Sequence, residues 1–76
     1  MASGKQIKQA RELAGIAQYE LAGKLGIAQS VLSDWERGAR EPSEKQAAKA
    51  FAIIRRLRDQ RDVKLAEVMG GDTDGN

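Results

Sequence analysis

Hydrophobic and polar positions follow one another along this chain with the period of an α-helix. Three stripes of apolar residues recur at spacings of three and four residues. They consist of Ile7, Ala10, Leu13 and Ala14, of Leu21, Ala22 and Leu25, and of Ala47, Ala50, Phe51, Ile54 and Leu57. Because no stretch alternates for long with the period of two that a strand requires, and alanine is abundant, the pattern predicts an all-α fold.

Two segments carry the signature of a helix start. Ser3 and Gln6, and again Ser43 and Gln46, have the spacing of a capping box, in which a hydroxyl accepts from a backbone N–H and an amide reaches back. The first helix is therefore expected to begin near Ser3 and to end at Gly15, where the left-handed conformation is easily adopted. The last helix is expected to begin after Ser43.

The middle of the chain predicts two short helices that meet at a steep angle. We expect them at 18–25 and 29–37, closed by Gly26 and Gly38. A link of about three residues cannot place two helices side by side in antiparallel fashion, so the geometry indicates a helix-turn-helix. Ala17 and Ala28 stand where hydroxyl caps are usual, which costs about 1 kcal/mol per helix.

The C-terminal segment is ambiguous. Charged residues interrupt its apolar stripe around 59–62, which predicts a bend near Asp62 and a short further element up to Met69. A single helix through Met69 is the alternative. Residues 70–76 are acidic and glycine-rich, so we expect them to be a disordered tail after one domain spanning 1–69.

Composition removes several classes of function. The 76 residues include no cysteine and no histidine, which excludes disulfides, thiolate metal sites and histidine-based catalysis. We see no nucleophile–base pair, phosphate loop or calcium-loop spacing, so we expect neither an enzyme nor a metal or other cofactor. The segment at the N-terminus lacks the apolar stretch of a secretion signal, so a cytoplasmic protein is expected. A net charge of +2 permits a nucleic-acid partner without requiring one.

A run of residues in the middle of the chain resembles a known family. The residues that carry the likeness are Arg11 and the segment from Gln18 to Pro42, QYELAGKLGIAQSVLSDWERGAREP. Through them the chain resembles the Cro-like (XRE) helix-turn-helix family of phage repressors and bacterial transcriptional regulators. The likeness covers residues 5–50. It implies a compact four- to five-helix bundle of the lambda-repressor-like DNA-binding type, whose third helix enters the major groove. It also implies that Arg11 and Glu36 form a structural ion pair.

The third helix would carry the base-reading side chains. The candidates are Gln29, Ser30, Ser33 and Asp34. Gln29 occupies the first base-contacting position of the family, and its amide suits adenine. The two serines are equally compatible with a solvated helix face. Asp34 suits a cytosine amine, but the alternative is that it pairs with Arg37 and faces away.

Contacts to the DNA backbone are expected at both ends of this helix pair. Gln18 begins the second helix, where backbone N–H groups and the amide suit a phosphate oxygen. Arg37 and Arg40 flank the exit of the third helix and are the candidates for charge contacts with phosphates.

A single recognition helix reads about four base pairs, so a homodimer on a palindromic operator is expected. The predicted dimerisation segment is about 50–69, with Phe51, Ile54, Leu57 and Val68 in the interface. The arginines at 55, 56, 58 and 61 are expected at its rim or in solvent.

The predicted function is a sequence-specific, double-stranded DNA-binding regulator, most simply a repressor. The alternative is a protein-interaction module, co-regulator or antitoxin-like, on the same scaffold.

Overall fold

Four α-helices make up the part of the chain that the structure describes. This computed structural model covers the backbone of residues 3–74 and the side chains of residues 3–62. The helices are α1 (Gly4–Leu13), α2 (Gln18–Leu25), α3 (Gln29–Arg37) and α4 (Glu44–Asp74). Residues 3–74 contain no strand, and the prediction of an all-α fold is confirmed.

Capping boxes start the first and last helices as predicted. The Ser3 hydroxyl accepts from the backbone N–H of Gln6, and the Gln6 side chain accepts from the N–H of Ser3 at 3.1 Å. The same exchange joins Ser43 and Gln46 at 2.8 and 3.0 Å. Each box satisfies N–H groups that a helix start otherwise leaves unbonded, and this local bonding places both helix starts.

Left-handed glycines end α2 and α3 and set the crossing between them. Gly26 has a φ of 73° and Gly38 a φ of 83°. Beyond Gly26, the N–H of Ile27 turns back to donate to the Ala22 carbonyl at 3.1 Å. Both helices have the bounds that the sequence predicted. The two residues between Gly26 and α3 leave no room for an antiparallel pair, and the result is a helix-turn-helix.

The core lies where α1 and α2 each pack against both α3 and α4. Its largest fully buried side chains are those of Ile7, Leu21, Leu32 and Trp35. The remaining buried apolar residues are Ile16, Ala22, Leu25, Ala47, Ala50, Ile54 and Leu57. A buried aliphatic or aromatic side chain of this size stabilises the fold by roughly 1.5–3 kcal/mol relative to the exposed state. These contacts hold the outer faces of α2 and α3 at a fixed angle.

α4 is one helix of 31 residues, and the predicted bend near Asp62 is wrong. Asp59 and Asp62 are exposed, so their charges stay in water and do not oppose a helix. Neither proline nor glycine occurs between Pro42 and Gly70 to interrupt it. The helix includes residues 70–74, which the sequence assigned to a disordered tail; residues 75–76 lie outside the described residues. At 1.5 Å per residue α4 is about 46 Å long, so it accounts for most of the 52 Å longest dimension and projects beyond the body.

Two further expectations about apolar residues need correction. Leu13 was placed in the apolar stripe of α1, but it is 83% exposed, because it lies to one side of the stripe that Ile7, Ala10 and Ala14 present to the core. Ile54 and Leu57 were placed in a dimer interface, but they are 5% and 7% exposed and belong to the core of the single chain. Phe51 is half-buried against that core, and the side chain of Val68 lies outside the described residues. The division into a DNA-binding part and a dimerisation segment stays a prediction.

Candidate nucleic-acid interface

The helix-turn-helix presents a polar face on the side opposite to the core. Gln29 and Ser30 are exposed at the start of α3, and Ser33 is half-buried one turn later. On the other side of the same helix, Leu32 and Trp35 are buried. The segregation follows from the sequence, because residues three apart lie on one side of a helix. The base-reading candidates at 29, 30 and 33 therefore lie on one accessible surface.

A buried ion pair lies beneath this face. The Nε and Nη2 of Arg11 donate to the two carboxylate oxygens of Glu36 at 2.8 and 3.0 Å. The Nη1 of the same guanidinium donates to the Ile16 carbonyl at 2.8 Å. Arg11 is 9% exposed and Glu36 is 5% exposed. Because the guanidinium fork matches the carboxylate at two points, the pair joins α1 to α3 with a defined orientation.

The electrostatic state of the pair follows from its contacts. The hydrogen bond to Glu36 raises the pKa of Arg11 above its usual value, against the opposing effect of burial, and the charges of Glu36 and Glu12 add to the rise. A raised arginine pKa means that the guanidinium keeps its charge at every pH at which the protein is handled. The guanidinium charge is thus held against the Glu36 carboxylate below the polar face of α3.

A chain of amides connects this pair to the exposed surface. The Nε2 of Gln18 donates to the Oε1 of Glu36 at 3.0 Å, and the Oε1 of Gln18 accepts from the Nε2 of Gln29 at 3.1 Å. Gln18 was predicted to contact the DNA backbone, but its oxygen and one N–H are engaged in this chain. The Oε1 and the second N–H of Gln29 have no partner among the described hydrogen bonds. The hydrogen bond from Gln18, which is itself bonded to the buried Glu36, thus orients the exposed amide of Gln29.

Asp34 lies among arginines at the other end of α3. Its carboxylate pairs with the Nη2 of Arg37 and lies 3.9 Å from the Nε of Arg40. Of the two interpretations that the sequence allowed, the structure shows the ion pair. The Asp34 side chain is 27% exposed, whereas those of Arg37 and Arg40 are 68% and 60% exposed. The cluster has a net charge of +1, and its arginines remain accessible to a phosphate.

The first turns of α2 and α3 leave backbone donors uncapped. Their N-cap residues are Ala17 and Ala28, and neither makes a side-chain cap hydrogen bond. The N–H groups at a helix start carry a partial positive charge and point outward. Both helix starts can therefore donate to an anion from outside.

Sequence reasoning missed two contacts that position these helices. Arg61 was expected at a rim or in solvent, but its Nη1 donates to the Gly15 carbonyl at 2.6 Å and its Nη2 contacts both carboxylate oxygens of Glu20 at 2.5 and 2.6 Å. Gly4 lies so close to α3 that a Cβ added to it would be 1.6 Å from the Trp35 carbonyl oxygen. Neither contact had a clear signal in the sequence, because Arg61 resembles its neighbouring arginines and Gly4 is the first residue of α1, where glycine costs less than in the middle of a helix.

The described part of the chain offers neither a metal site nor a membrane-spanning helix. None of its groups of acidic side chains has the arrangement of a metal site. No described helix combines the length and the apolar character that crossing a membrane requires.

Comparison with known proteins places the geometry in a family. A family model described as helix-turn-helix matches residues 7–52, more than half of the chain. HTH-type transcriptional regulator ImmR of Bacillus subtilis (strain 168) is 48% identical over 42 residues, which cover 55% of this chain and 33% of the relative. The chain therefore spans about one third of the length of that relative. No solved structure matches significantly. The match covers most of α1, all of α2 and α3 and the first part of α4, and the chain belongs to the XRE-type helix-turn-helix family.

Proposed function

We propose that the protein is a sequence-specific regulator of transcription that binds double-stranded DNA by inserting α3 into the major groove. The observation that carries this proposal is the exposed amide of Gln29, held through Gln18 by the buried Arg11–Glu36 pair. A preoriented amide with a free donor and a free acceptor matches the N6 and N7 edge of adenine. Ser30 and Ser33 extend the same face and suit bases or phosphates.

Charged groups around this face supply affinity that does not depend on sequence. Arg37 and Arg40 are accessible beside Asp34 and are assigned to phosphates. The uncapped starts of α2 and α3 add backbone N–H donors, a common form of phosphate contact. Gln18 contributes chiefly by orienting Gln29 and keeps one N–H for a phosphate. Asp34 is assigned to holding the two arginines and not to a base.

The experiment compares variants on a site selected from random duplexes by the purified protein. Gln29→Ala should weaken binding to that site by roughly 1–3 kcal/mol and relax the preference at one base pair. Arg37→Ala should weaken specific and non-specific binding alike and lower the salt slope by about 1. Lys45→Ala changes an exposed cation on α4 and is the matched control. A protein that selects no sequence, or a Gln29→Ala variant with unchanged affinity and preference, would overturn the proposal.

We further propose a homodimeric repressor that acts in the cytoplasm on a palindromic operator. One α3 reads too few base pairs to select a site in a genome, and a two-fold axis doubles the contacts. Because Ile54 and Leu57 are used by the core, we assign the dimer contact to the part of α4 that projects past Arg61, where the sequence has Val63 and Val68.

Sedimentation and footprinting test the dimer. Val68→Glu should shift the protein toward monomer and abolish a symmetric footprint, whereas Ala48→Glu, at an exposed position of α4 within the body, should change neither. A monomer that footprints a single half-site would contradict the dimer and leave the DNA-reading face intact. Repression is tested by a reporter placed behind the selected operator.

A further inference from the structure

A shallow groove between α1 and α4 is lined by an unusual combination of residues. Leu13 is 83% exposed, although it is a large aliphatic residue beside the core. Across the groove lies Phe51, which is half-buried. The open space between the two helices has a volume of about 350 Å³. A concave surface with an apolar floor and a projecting leucine is typical of a contact site for another protein segment.

The charges at the groove have one sign. Its ionisable lining residues are Arg55 and Arg58, both exposed on α4. Among the side chains that the structure describes, Arg55 has no ion pair, and Arg58 has a long one of 3.8 Å to its neighbour Asp59, with both groups more than half exposed. An exposed pair of this kind contributes little, so both guanidinium groups remain available.

We propose that this groove is a docking site for an acidic amphipathic helix of another protein. Apolar side chains of the partner would pack against Leu13 and Phe51, and its carboxylates would pair with Arg55 and Arg58. Charge complementarity selects this occupant over a second copy of the chain, because a two-fold contact centred here would bring four arginines together. DNA is a poorer occupant than an acidic helix, because its phosphates gain nothing from contact with the apolar floor of the groove.

The site is separate from the DNA-reading face, so this inference does not rest on the proposed function. The groove shares no residue with the Gln18, Gln29, Arg37 and Arg40 set. A partner bound in it leaves α2 and α3 uncovered. The site would let the protein recruit, or be controlled by, an acidic partner whether or not DNA is bound.

The test uses the full chain, labelled with ¹⁵N, and a synthetic peptide of about 14 residues, roughly four helical turns. The peptide carries leucines along one face and glutamates elsewhere, and a second peptide replaces the glutamates with lysines. We expect the acidic peptide to shift the amide signals of Leu13, Phe51 and Arg55, and the basic peptide to shift none of them. Shifts confined to α2 and α3, or equal effects of the two peptides, would overturn the proposal.

Neighbouring arginines provide the matched control. Arg55→Glu should weaken binding of the acidic peptide about tenfold, whereas Arg56→Glu should leave it nearly unchanged, because Arg56 lines a different cavity on the other side of α4. Leu13→Gln should also weaken it, and since Leu13 is exposed the fold is preserved. If Leu13→Gln instead lowers self-association in sedimentation, or if duplex DNA shifts the same signals, the groove has another occupant and the proposal fails.

Discussion

At Gly4 the backbone of α1 lies directly against the carbonyl group of Trp35. An alanine Cβ at this position would be 1.6 Å from that oxygen, and the atoms around it belong to the backbone of Trp35 and Glu36, which cannot rotate away. Gly4→Ala should therefore force α1 away from α3 and lower the free energy of unfolding by roughly 1–3 kcal/mol or more, as overpacking does. Urea denaturation measures the change.

Gly23 is the matched control for this prediction. It lies inside α2, is exposed, and a Cβ there would meet nothing within 4 Å. Gly23→Ala should stabilise the protein by about 0.5–1 kcal/mol, because alanine loses less backbone entropy in a helix. If both substitutions change the urea midpoint in the same direction, the close approach at Gly4 does not govern its effect.

The buried Arg11–Glu36 ion pair leads to a second prediction, on the stability of the fold. Glu36→Gln keeps the shape of the side chain but leaves the Arg11 charge buried without a counter-charge, so we expect a loss of roughly 3–5 kcal/mol. The double variant Arg11→Met, Glu36→Met removes both charges and should be less destabilised than the single one. A double-mutant cycle of Arg11→Met, Glu36→Met and the double variant in which the losses are additive would contradict the coupling. Since the pKa of Arg11 is raised, its contribution is present at neutral pH and is lost only far above it.

At the scale of elements, the missing N-cap of α3 can be restored. Ala28 is exposed, has the extended backbone of an N-cap residue (φ −69°, ψ 145°) and makes no side-chain cap hydrogen bond. Ala28→Ser should raise the free energy of unfolding by about 1 kcal/mol, because the hydroxyl can accept from a first-turn N–H. Ala48→Ser, at an exposed position inside α4, should slightly lower it. Thermal unfolding compares the two, and equal shifts would refute the capping argument.

The elements that sequence predicted well are those fixed by local bonding. Gly26 and Gly38 end α2 and α3 because a left-handed residue closes a helix, and this requires no knowledge of the rest of the fold. The continuity of α4 was not predictable in this way. Asp59 and Asp62 break the apolar stripe, yet a helix that projects from the body needs no stripe there. The periodicity of apolar residues indicates which face of a helix is buried. It therefore cannot predict the course of a helix where that helix packs against no core.

At the scale of the molecule, the contacts that sequence could not supply are those between distant residues. The sequence shows that Gln18, Gln29 and Glu36 are polar. Only the fold shows that their side chains form one hydrogen-bonded chain. The four arginines at 55, 56, 58 and 61 look alike in the sequence. The structure separates them, because among the side chains of residues 3–62 only Arg61 of the four contacts a glutamate, and that glutamate lies 41 residues away.

Arg61 is the point at which the projecting part of α4 is attached to the DNA-reading half of the fold. It binds the turn between α1 and α2 through Gly15 and the first turn of α2 through Glu20. Its side chain is 39% exposed and that of Glu20 is 29% exposed. Solvent therefore screens the pair, and Arg61→Ala should cost only about 0.5–1 kcal/mol of global stability. Locally the effect should be larger, because this contact ties α4 to α2.

Amide hydrogen exchange distinguishes the loss of global stability from the local loosening of α4. In Arg61→Ala the amides of α4 around residues 58–62 should exchange faster by a larger factor than the amides of the core, whereas Arg56→Ala should change neither set. Glu20→Gln should reproduce the local change, since it removes the same ion pair from the other side. Such a pattern means that the part of α4 beyond Leu57 is held to the body by this contact and opens there as a separate unit. Uniform acceleration across the whole chain would mean instead that α4 unfolds only together with the core.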